Sequence, residues 1–585
     1  MQWPHPDKFS WLVQSLHAVE LHTVNCILKM RIGLFFGGPS RERDVSFAGG
    51  RTALANLNKA LFEPVLVFVS GWGRFYIVDE DFLQHAGIRD SLPTLDGFSV
   101  YDESLEDGDE VIPGERIEPE WFEEHFDMAF LAMHGPDCED GAIQGLLEWH
   151  KMPYTGPGIL GSGLGINKIL QNHLIALVNG QEKKTATISR DDWQRADQGA
   201  FFASLVSHLG LPIVVKAPHQ GSSIGVAIVR ENDFATFQRS VNQCFFTTQV
   251  GLSDWEKLDD QAKRDYAQRT ATLSASIGYP LVIETTGEYV TGPAELIATL
   301  NGFADDAKTT TLTLASINAE DELLFEEFIV GQEFSCGVIQ DDDGMAVALP
   351  PTEIFNAEAF DYETKYLNSV AKKRIPVDTT LENNRAIQLA VEQVFTKLGI
   401  NVYSRIDGFL TPEGPARGDE PGAAQRVLLH DPNTIPGMSP TSLIFKQMAE
   451  IGMNLSDSLT YLIRQSLRER IRTGKDTFRL KQMLADLDER LAARLAKPLP
   501  ELRVHFGPTD DDWTRAKAEY NAAAALGDTL PRMVYLKSKM ETHEVPVHFL
   551  FKDALAELEA GLASPRHPLL LETVERARHI TERYV

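Results

Sequence analysis

Residues 430–442 read His-Asp-Pro-Asn-Thr-Ile-Pro-Gly-Met-Ser-Pro-Thr-Ser, which sets two oxygen ligands, Asp431 and Asn433, one residue apart ahead of two bends. A strand over 427–431 would carry both oxygens on one face, because side chains alternate along a strand. Hard divalent cations such as Mg²⁺ bind such oxygens together with substrate phosphates. Asp407 is a third candidate, following Arg405 and Ile406 in the apolar run 402–410, where charges are unusual unless they serve a site. The same residues also fit a polar turn after a strand. What decides between the two is whether the chain elsewhere provides for a phosphate.

Residues 211–217 form an apolar run carrying Lys216, followed by His219-Gln220-Gly221-Ser222-Ser223-Ile224-Gly225 and a second apolar run to Val229. Two strands joined by a Gly-Ser loop make a flap whose amides and hydroxyls, those of Ser222 and Ser223 included, can wrap phosphate oxygens. Lys216 supplies a point charge. This is not a P-loop, since GK[ST] is missing and a strand follows; a plain hairpin is the alternative. Downstream, Glu326 and Glu327 lie in the run 323–329 and Glu333 opens a strand over 334–339. Carboxylates beside a phosphate flap can accept hydrogen bonds from an adenine amine and ribose hydroxyls, or they mark an exposed edge.

The elements that must position these groups begin with an apolar run at 31–36, the turn Gly37-Gly38-Pro39-Ser40 and a helix over 45–60. Further strands at 64–69 and 128–133 predict an open parallel α/β sheet. Ligands bind outside the carboxyl ends of such strands, where Glu42 and His134 fall; they also fit a helix-start carboxylate and a turn residue. A glycine-rich stretch, 156–165, leads into a helix near Asn167-Lys168. The segment 231–320 reads as an insertion, helical over 234–276 and then irregular around 285–287 and 305–311. Residues 350–376 lack periodicity, as lids do. A helix at 381–398, an acidic Gly-Pro loop at 411–424 and helices at 443–451, 455–469 and 478–495 follow; beyond Pro500 no ligand cluster stands out.

At 585 residues the chain exceeds one core and predicts about three or four domains. With 43% hydrophobic and 24% charged residues it is neither disordered nor fibrous. A net charge of -29 opposes nucleic acid and anionic membrane as partners, so any phosphate site must be local. Four scattered cysteines, Cys26, Cys138, Cys244 and Cys336, form no disulfide framework and suit a reducing cytoplasm. No membrane span or signal peptide is read, and residues 1–29 are an N-terminal extension.

Taken together the motifs resemble the D-alanine:D-alanine ligases of the ATP-grasp superfamily. Gly37-Gly38-Pro39-Ser40-Arg41-Glu42-Arg43-Asp44-Val45-Ser46 looks like the family's opening signature, and 134–145, with Glu139-Asp140-Gly141 and Gln144-Gly145, like its second. Gly221-Ser222-Ser223-Ile224-Gly225 looks like the phosphate flap. Residues 326–333, 362–366, 405–407 and 431–442 complete the set in the family's order, so that the resemblance covers 31–230 and 321–465.

The resemblance implies an α/β ATP-grasp fold with an N-terminal Rossmann-like domain, ATP between two subdomains, and two Mg²⁺ ions, with Mn²⁺ as a substitute. The implied reaction is ATP + 2 D-alanine to D-alanyl-D-alanine + ADP + phosphate, for peptidoglycan precursors, in the cytoplasm and by a homodimer. By position, Lys168 and Lys216 would hold phosphates, Glu326 with its neighbour Glu327 the adenine side, and Glu333 the ribose. Asp407, Asp431 and Asn433 would ligate the metal. Glu42 would bind the first substrate's ammonium, oriented by Ser222 and Tyr366, with His134 and the lid residue Lys365 on the substrate side. Arg405 and the Gly437 amide would stabilise the tetrahedral intermediate, and Ser442 would hold the second carboxylate. The implied domains are 30–166, 167–340 with an insertion at 232–320, 341–465 with the lid 350–376, and an extension, 466–585.

Departures mark the chain as well. Asp431 stands where the family usually has Glu, Pro432 lies between the ligands, Asn167 replaces Asp, and Ala217 replaces Pro after the flap lysine. The insertion and extension have no counterpart in compact members. A ligase for other amino acids and a nucleotide-binding regulator with decayed chemistry are the alternatives.

Overall fold

The structure, a computed structural model, describes residues 29–84, 114–221, 223–271, 276–304, 310–355, 372–412, 425–474, 477–538 and 541–584. Ser222, Lys365 and Tyr366, most of the expected lid, most of the 411–424 loop and the first 28 residues lie outside these. The chain opens on a five-stranded sheet in the order Glu115–Ile117, Phe75–Val78, Phe62–Val69, Met30–Gly37, Met128–Leu131. Its last three strands are parallel, as read, and the other two join antiparallel. Helices cover such a central strand on both faces, so Ile32, Leu34, Phe35 and Phe36 are all fully buried. Gly33 is required there, because a Cβ would meet the Phe126 ring at 2.8 Å. The first helix, Arg43–Asn56, begins two residues earlier than expected and stops short of Ala60, where Asn58 accepts the amides of Leu61 and Phe62 in a turn.

Two antiparallel sheets build the cleft. One has the order Thr185–Ser189, Glu322–Glu327, Ile213–Lys216, Val226–Val229 and contains the flap hairpin. The other runs Lys372–Arg374, Thr352–Phe355, Gln332–Gln340, Tyr403–Pro412, Gln425–Asn433, with Ala346–Ala348 added to Gln332–Gln340. The helix Leu381–Lys397 covers it, burying Ile387, Val391, Val394 and Phe395 against Phe334, Val338 and Ile406.

The region expected to be helical and then irregular is corrected by the structure. Helices do occur at Phe234–Phe245 and Asp260–Thr270. Between and after them, however, Glu288–Val290, Leu281–Ile283, Thr311–Ser316 and Thr247–Gly251 pair into a four-stranded antiparallel sheet with a core of its own. Thr285-Thr286-Gly287 is the tight turn joining two of these strands, closed by the Gly287 amide on the Ile283 carbonyl at 2.8 Å.

After helices Leu455–Thr473 and Phe478–Ala496, strands Glu501–Phe506, Leu530–Ser538 and Glu541–Val545 form a small sheet over Trp513, Phe506 and Tyr535. This C-terminal part is tied back to the cleft sheet. Arg464, 1% exposed, reaches Asp342 at 2.6 Å and Asp488 at 2.5 Å, and Arg385 pairs with Glu572 at 2.6 Å.

Candidate active site

Three lysines and two carboxylates meet beside the flap. In the register between Ile213–Lys216 and Glu322–Glu327, Lys216 lies opposite Leu324, so Glu326, two residues along the same face, is its diagonal neighbour. The Lys216 ammonium lies 2.9 Å from Glu326 Oε2 and 3.5 Å from Asp431 Oδ2. Lys183 approaches Glu326 Oε1 at 2.5 Å, and the Asn172 amide donates to the same oxygen at 2.7 Å. Lys168 donates to the Gln220 carbonyl in the flap stem and stands 4.0 Å from Asp431 Oδ1. Burial by itself would raise the Glu326 carboxyl; Lys183 and Lys216 outweigh it and hold the group well below the usual range. Asp431 is likewise held well below it by Lys216 and Lys168 against desolvation. Three ammonium groups against two carboxylates leave the cluster one positive charge in excess, which suits an incoming phosphate.

The expectation that alternation would put Asp431 and Asn433 on one face is corrected. Asp407 pairs with His430 and Ile406 with Pro432, so Asp431 is the extra residue of a β-bulge, in the left-handed region at φ +44°. The bulge re-aims its carboxylate at the lysines. Asn433, opposite Arg405, donates to the Asp431 carbonyl at 3.0 Å and to Asp407 Oδ2 at 3.4 Å. Asp407 is fixed by the Ser335 hydroxyl at 2.6 Å and by Arg405 Nε at 3.3 Å. The donor set offered to a cation is two carboxylates and an amide. These hard oxygens fit Mg²⁺, which is bound by one or two carboxylates together with water and substrate phosphate oxygens.

Across the cleft, the turn after the first strand and the second glycine motif are knitted together. The Ser40 hydroxyl donates to the His134 carbonyl at 2.5 Å and receives the Glu42 amide at 3.1 Å. Glu139 accepts the Gly135 amide at 2.9 Å. His134 Nδ1 meets the Ile435 carbonyl at 3.0 Å, which brings the N-terminal sheet onto the 431–442 segment. Glu42, 3% exposed, lies under the flap: a Cβ on Gly221 would come within 2.2 Å of its Oε2, so a side chain there would displace the carboxylate. Burial, with the Glu42 charge adding to it, pushes the Glu139 carboxyl up to about 8. Burial and Arg405 drive the His134 imidazole down to about 4. Ser442 stands at the position before the helix Leu443–Glu450, and its hydroxyl meets that of Ser439 at 2.9 Å. Gly437 lies in the loop just before it.

The D-ala D-ala ligase N-terminus model matches residues 31–157, and the D-ala D-ala ligase C-terminus model matches 181–251 and 244–464. The chain belongs to the D-alanine–D-alanine ligase family. It is 26% identical over 451 residues to the D-alanine--D-alanine ligase A of Brucella melitensis biotype 1, covering 75% of this chain and 98% of that protein. To the D-alanine--D-alanine ligase of Geobacillus thermodenitrificans it is 23% identical over 440 residues, 75% of this chain and 96% of that one. A solved D-alanine-D-alanine ligase from Coxiella burnetii superposes with a TM-score of 0.49 at 19% identity, covering 78% of this chain and 99% of that one. D-alanine–D-alanine ligases are ATP-grasp enzymes that use ATP and Mg²⁺, and the family serves peptidoglycan synthesis.

Measured against that family's expected site, the structure brings Lys168, Lys216, Glu326 and Asp431 into one cluster, and Arg405, Asp407 and Asn433 into another that meets it at Asp431. Glu327 faces away and accepts the Lys184 amide at 2.8 Å. Glu333 is the second residue of the strand Gln332–Gln340, opposite Phe409, and Ser223 sits at φ +61° at the flap tip. Several members of the site escaped the sequence reading. Lys183 and Asn172 bear no spacing signal, since both reach Glu326 across about 150 residues. Glu320, which receives the Gln220 amide at 2.9 Å and meets His219 at 2.9 Å, was hidden at the end of the segment read as an insertion.

Proposed function

We propose that the chain is an ATP-dependent ligase that joins two D-alanines through an acyl phosphate. The observation that carries this reading is the meeting of three ammonium groups and Asp431 beneath a glycine flap that also covers Glu42. It supports a γ-phosphate site next to a carboxylate suited to a substrate ammonium.

A carboxylate is a poor acyl donor. The first D-alanine carboxylate attacks the γ-phosphorus of ATP, ADP leaves, and the acyl phosphate carries an activated carbonyl. Lys168, Lys183 and Lys216 neutralise the phosphates, while Glu326 spends both oxygens on lysines and Asn172, so its side chain holds the lysine pair in place. Mg²⁺ held by Asp407, Asp431 and Asn433 would draw negative charge from the transferring group. Burial and the Glu42 charge raise the Glu139 carboxyl, and Glu42, the carboxylate that lies against the flap at Gly221, receives the first ammonium. The second amine attacks the activated carbonyl; Arg405 and the Gly437 amide receive the oxyanion, a contribution worth about 3 to 4 kcal/mol per donor at such sites, and phosphate departs. Ser442 receives the second carboxylate, and Glu333 the ribose. Residues 356–371, with Lys365 and Tyr366, would exclude water, because an acyl phosphate hydrolyses readily.

We assign the sheets to domains as 30–166, 167–331 and 332–465, moving the expected boundary at 340 ahead of Gln332–Gln340 because that strand pairs with Tyr403–Pro412; 232–320 is an insertion and 466–585 an extension. A cytoplasmic homodimer binding two Mg²⁺ ions completes the reading. The described cysteines, Cys138, Cys244 and Cys336, are free and buried, and no described helix is long and apolar enough to cross a membrane. The deciding experiment measures phosphate release from ATP with D-alanine against a panel of D- and L-amino acids. D-alanine should give phosphate and dipeptide in equal amounts. Release only with another pair overturns the substrate, and no release with any amino acid overturns the ligase.

A further inference from the structure

Arg41 immediately precedes Glu42, yet its side chain belongs to another sheet. It is 4% exposed and reaches into the four-stranded sheet of residues 247–316. One terminal nitrogen donates to the Ser276 carbonyl at 3.0 Å, and the other to the Ile277 carbonyl at 2.6 Å and the Ser316 hydroxyl at 2.8 Å. The guanidinium carbon lies 3.9 Å over the Phe246 ring, a cation–π contact. A planar fork meeting two carbonyls, a hydroxyl and an aromatic face fixes the loop in direction as well as distance.

The same ring supports the flap. Ala217 and Ile224 pack in the core of this sheet with Phe246, and a Cβ on Gly225 would sit 2.8 Å from the tip of the Phe246 ring. At the end of the segment, Glu320 receives the Gln220 amide at 2.9 Å and meets His219 at 2.9 Å, and its own amide is held by the Phe245 carbonyl at 3.2 Å. Flap and glycine loop therefore rest on one bed, and where they converge Gly221 touches Glu42.

We infer that the 247–316 sheet holds the phosphate flap and Glu42 in register, with Arg41 the positioning residue that joins the substrate loop to that seat. Arg41 touches no reacting atom in this reading. It sets where the Glu42 carboxylate meets the first substrate's ammonium and where the flap closes on the phosphates. The inference rests on the proposed role of Glu42, and it gives the inserted segment a part in the reaction.

Arg41→Ala, Arg41→Lys and Ser316→Ala test it by steady-state kinetics and by hydrogen exchange over residues 220–226 in the nucleotide-free protein. Losing charged hydrogen bonds of this kind should raise the KM for the first amino acid about tenfold or more in Arg41→Ala, with a much smaller change in the KM of the second. Exchange over 220–226 should quicken selectively. Ser316→Ala, which removes one partner and spares the core, should show the same pattern at about threefold, and Arg41→Lys should recover part of the loss. Wild-type KM and exchange in Arg41→Ala overturn the inference, and so does a uniform rise in every KM with exchange faster throughout the chain. If the wild-type protein ligates no amino acid, the proposed function fails, while exchange over 220–226 still decides whether Arg41 and the sheet hold the flap.

Discussion

Lys216 Nζ lies 2.9 Å from Glu326 Oε2, with the carboxylate 3% and the lysine side chain 12% exposed. The pair is shared, since Lys183 holds the other Glu326 oxygen and Asp431 the other side of Lys216. Lys216→Met keeps the aliphatic packing and removes the charge. Because Lys183 and Asn172 still serve Glu326, the stability loss should be about 2 to 3 kcal/mol, below the usual cost of breaking a buried pair. ATP binding should weaken far more, and calorimetric titration with urea unfolding separates the two. Unaltered ATP affinity would remove Lys216 from the phosphate site.

Asp431 joins an unusual backbone to its charge. At φ +44° an asparagine is tolerated, whereas alanine adds strain of about 1 to 2 kcal/mol. Asp431→Asn should therefore add no backbone strain, lose only the stability that comes from the ion pairs with Lys216 and Lys168, and lower turnover by at least about a hundredfold through loss of a metal ligand. Asp431→Ala should lose both turnover and stability, and Asp431→Glu should keep much of the activity. Normal turnover in the asparagine variant would show that the metal lies elsewhere.

These two residues also mark how far the sequence could be read. Lys216 was legible because its strand, the Gly-Ser loop and the return strand are local; its pairing with Glu326 was not, because that carboxylate comes from Glu322–Glu327, a strand far along the chain. The face of Asp431 was not, because a bulge is decided by the partner strand, and nothing in His430-Asp431-Pro432 announces that Asp407 will pair with His430. The strands Leu281–Ile283 and Glu288–Val290 are too short to show a period; they exist because Thr311–Ser316 and Thr247–Gly251 pair beside them. Glu42 and His134 were placed at the strand ends by topology alone, while the carbonyl contact of His134 with Ile435 joins residues 301 apart.

Arg464 tests whether the C-terminal part stabilises the cleft sheet without entering the chemistry. Its guanidinium satisfies Asp342 and Asp488 from a position 1% exposed. Arg464→Leu leaves both carboxylates without that partner and should cost about 3 kcal/mol, lowering the thermal midpoint while the KM values stay within about twofold. A selective rise in one KM would place the helix Leu455–Thr473 in the active site.

Glu139 makes the pH dependence specific. Burial and the Glu42 charge raise its carboxyl to about 8 in the folded protein, whereas in the unfolded chain it returns to about 4.3. Between these values the folded state holds a proton that the unfolded state has lost. Stability from this group is therefore complete below about pH 4 and declines as pH rises through 8. Glu139→Gln cannot ionise, so it loses this slope while the amide still presents an oxygen to the Gly135 amide. From pH 5 to pH 9 the wild type should lose on the order of a few kcal/mol relative to the glutamine variant, read from urea midpoints across the series. Parallel profiles would mean that Glu139 is ionised at neutral pH, and Glu42 would then share its negative charge with a second carboxylate.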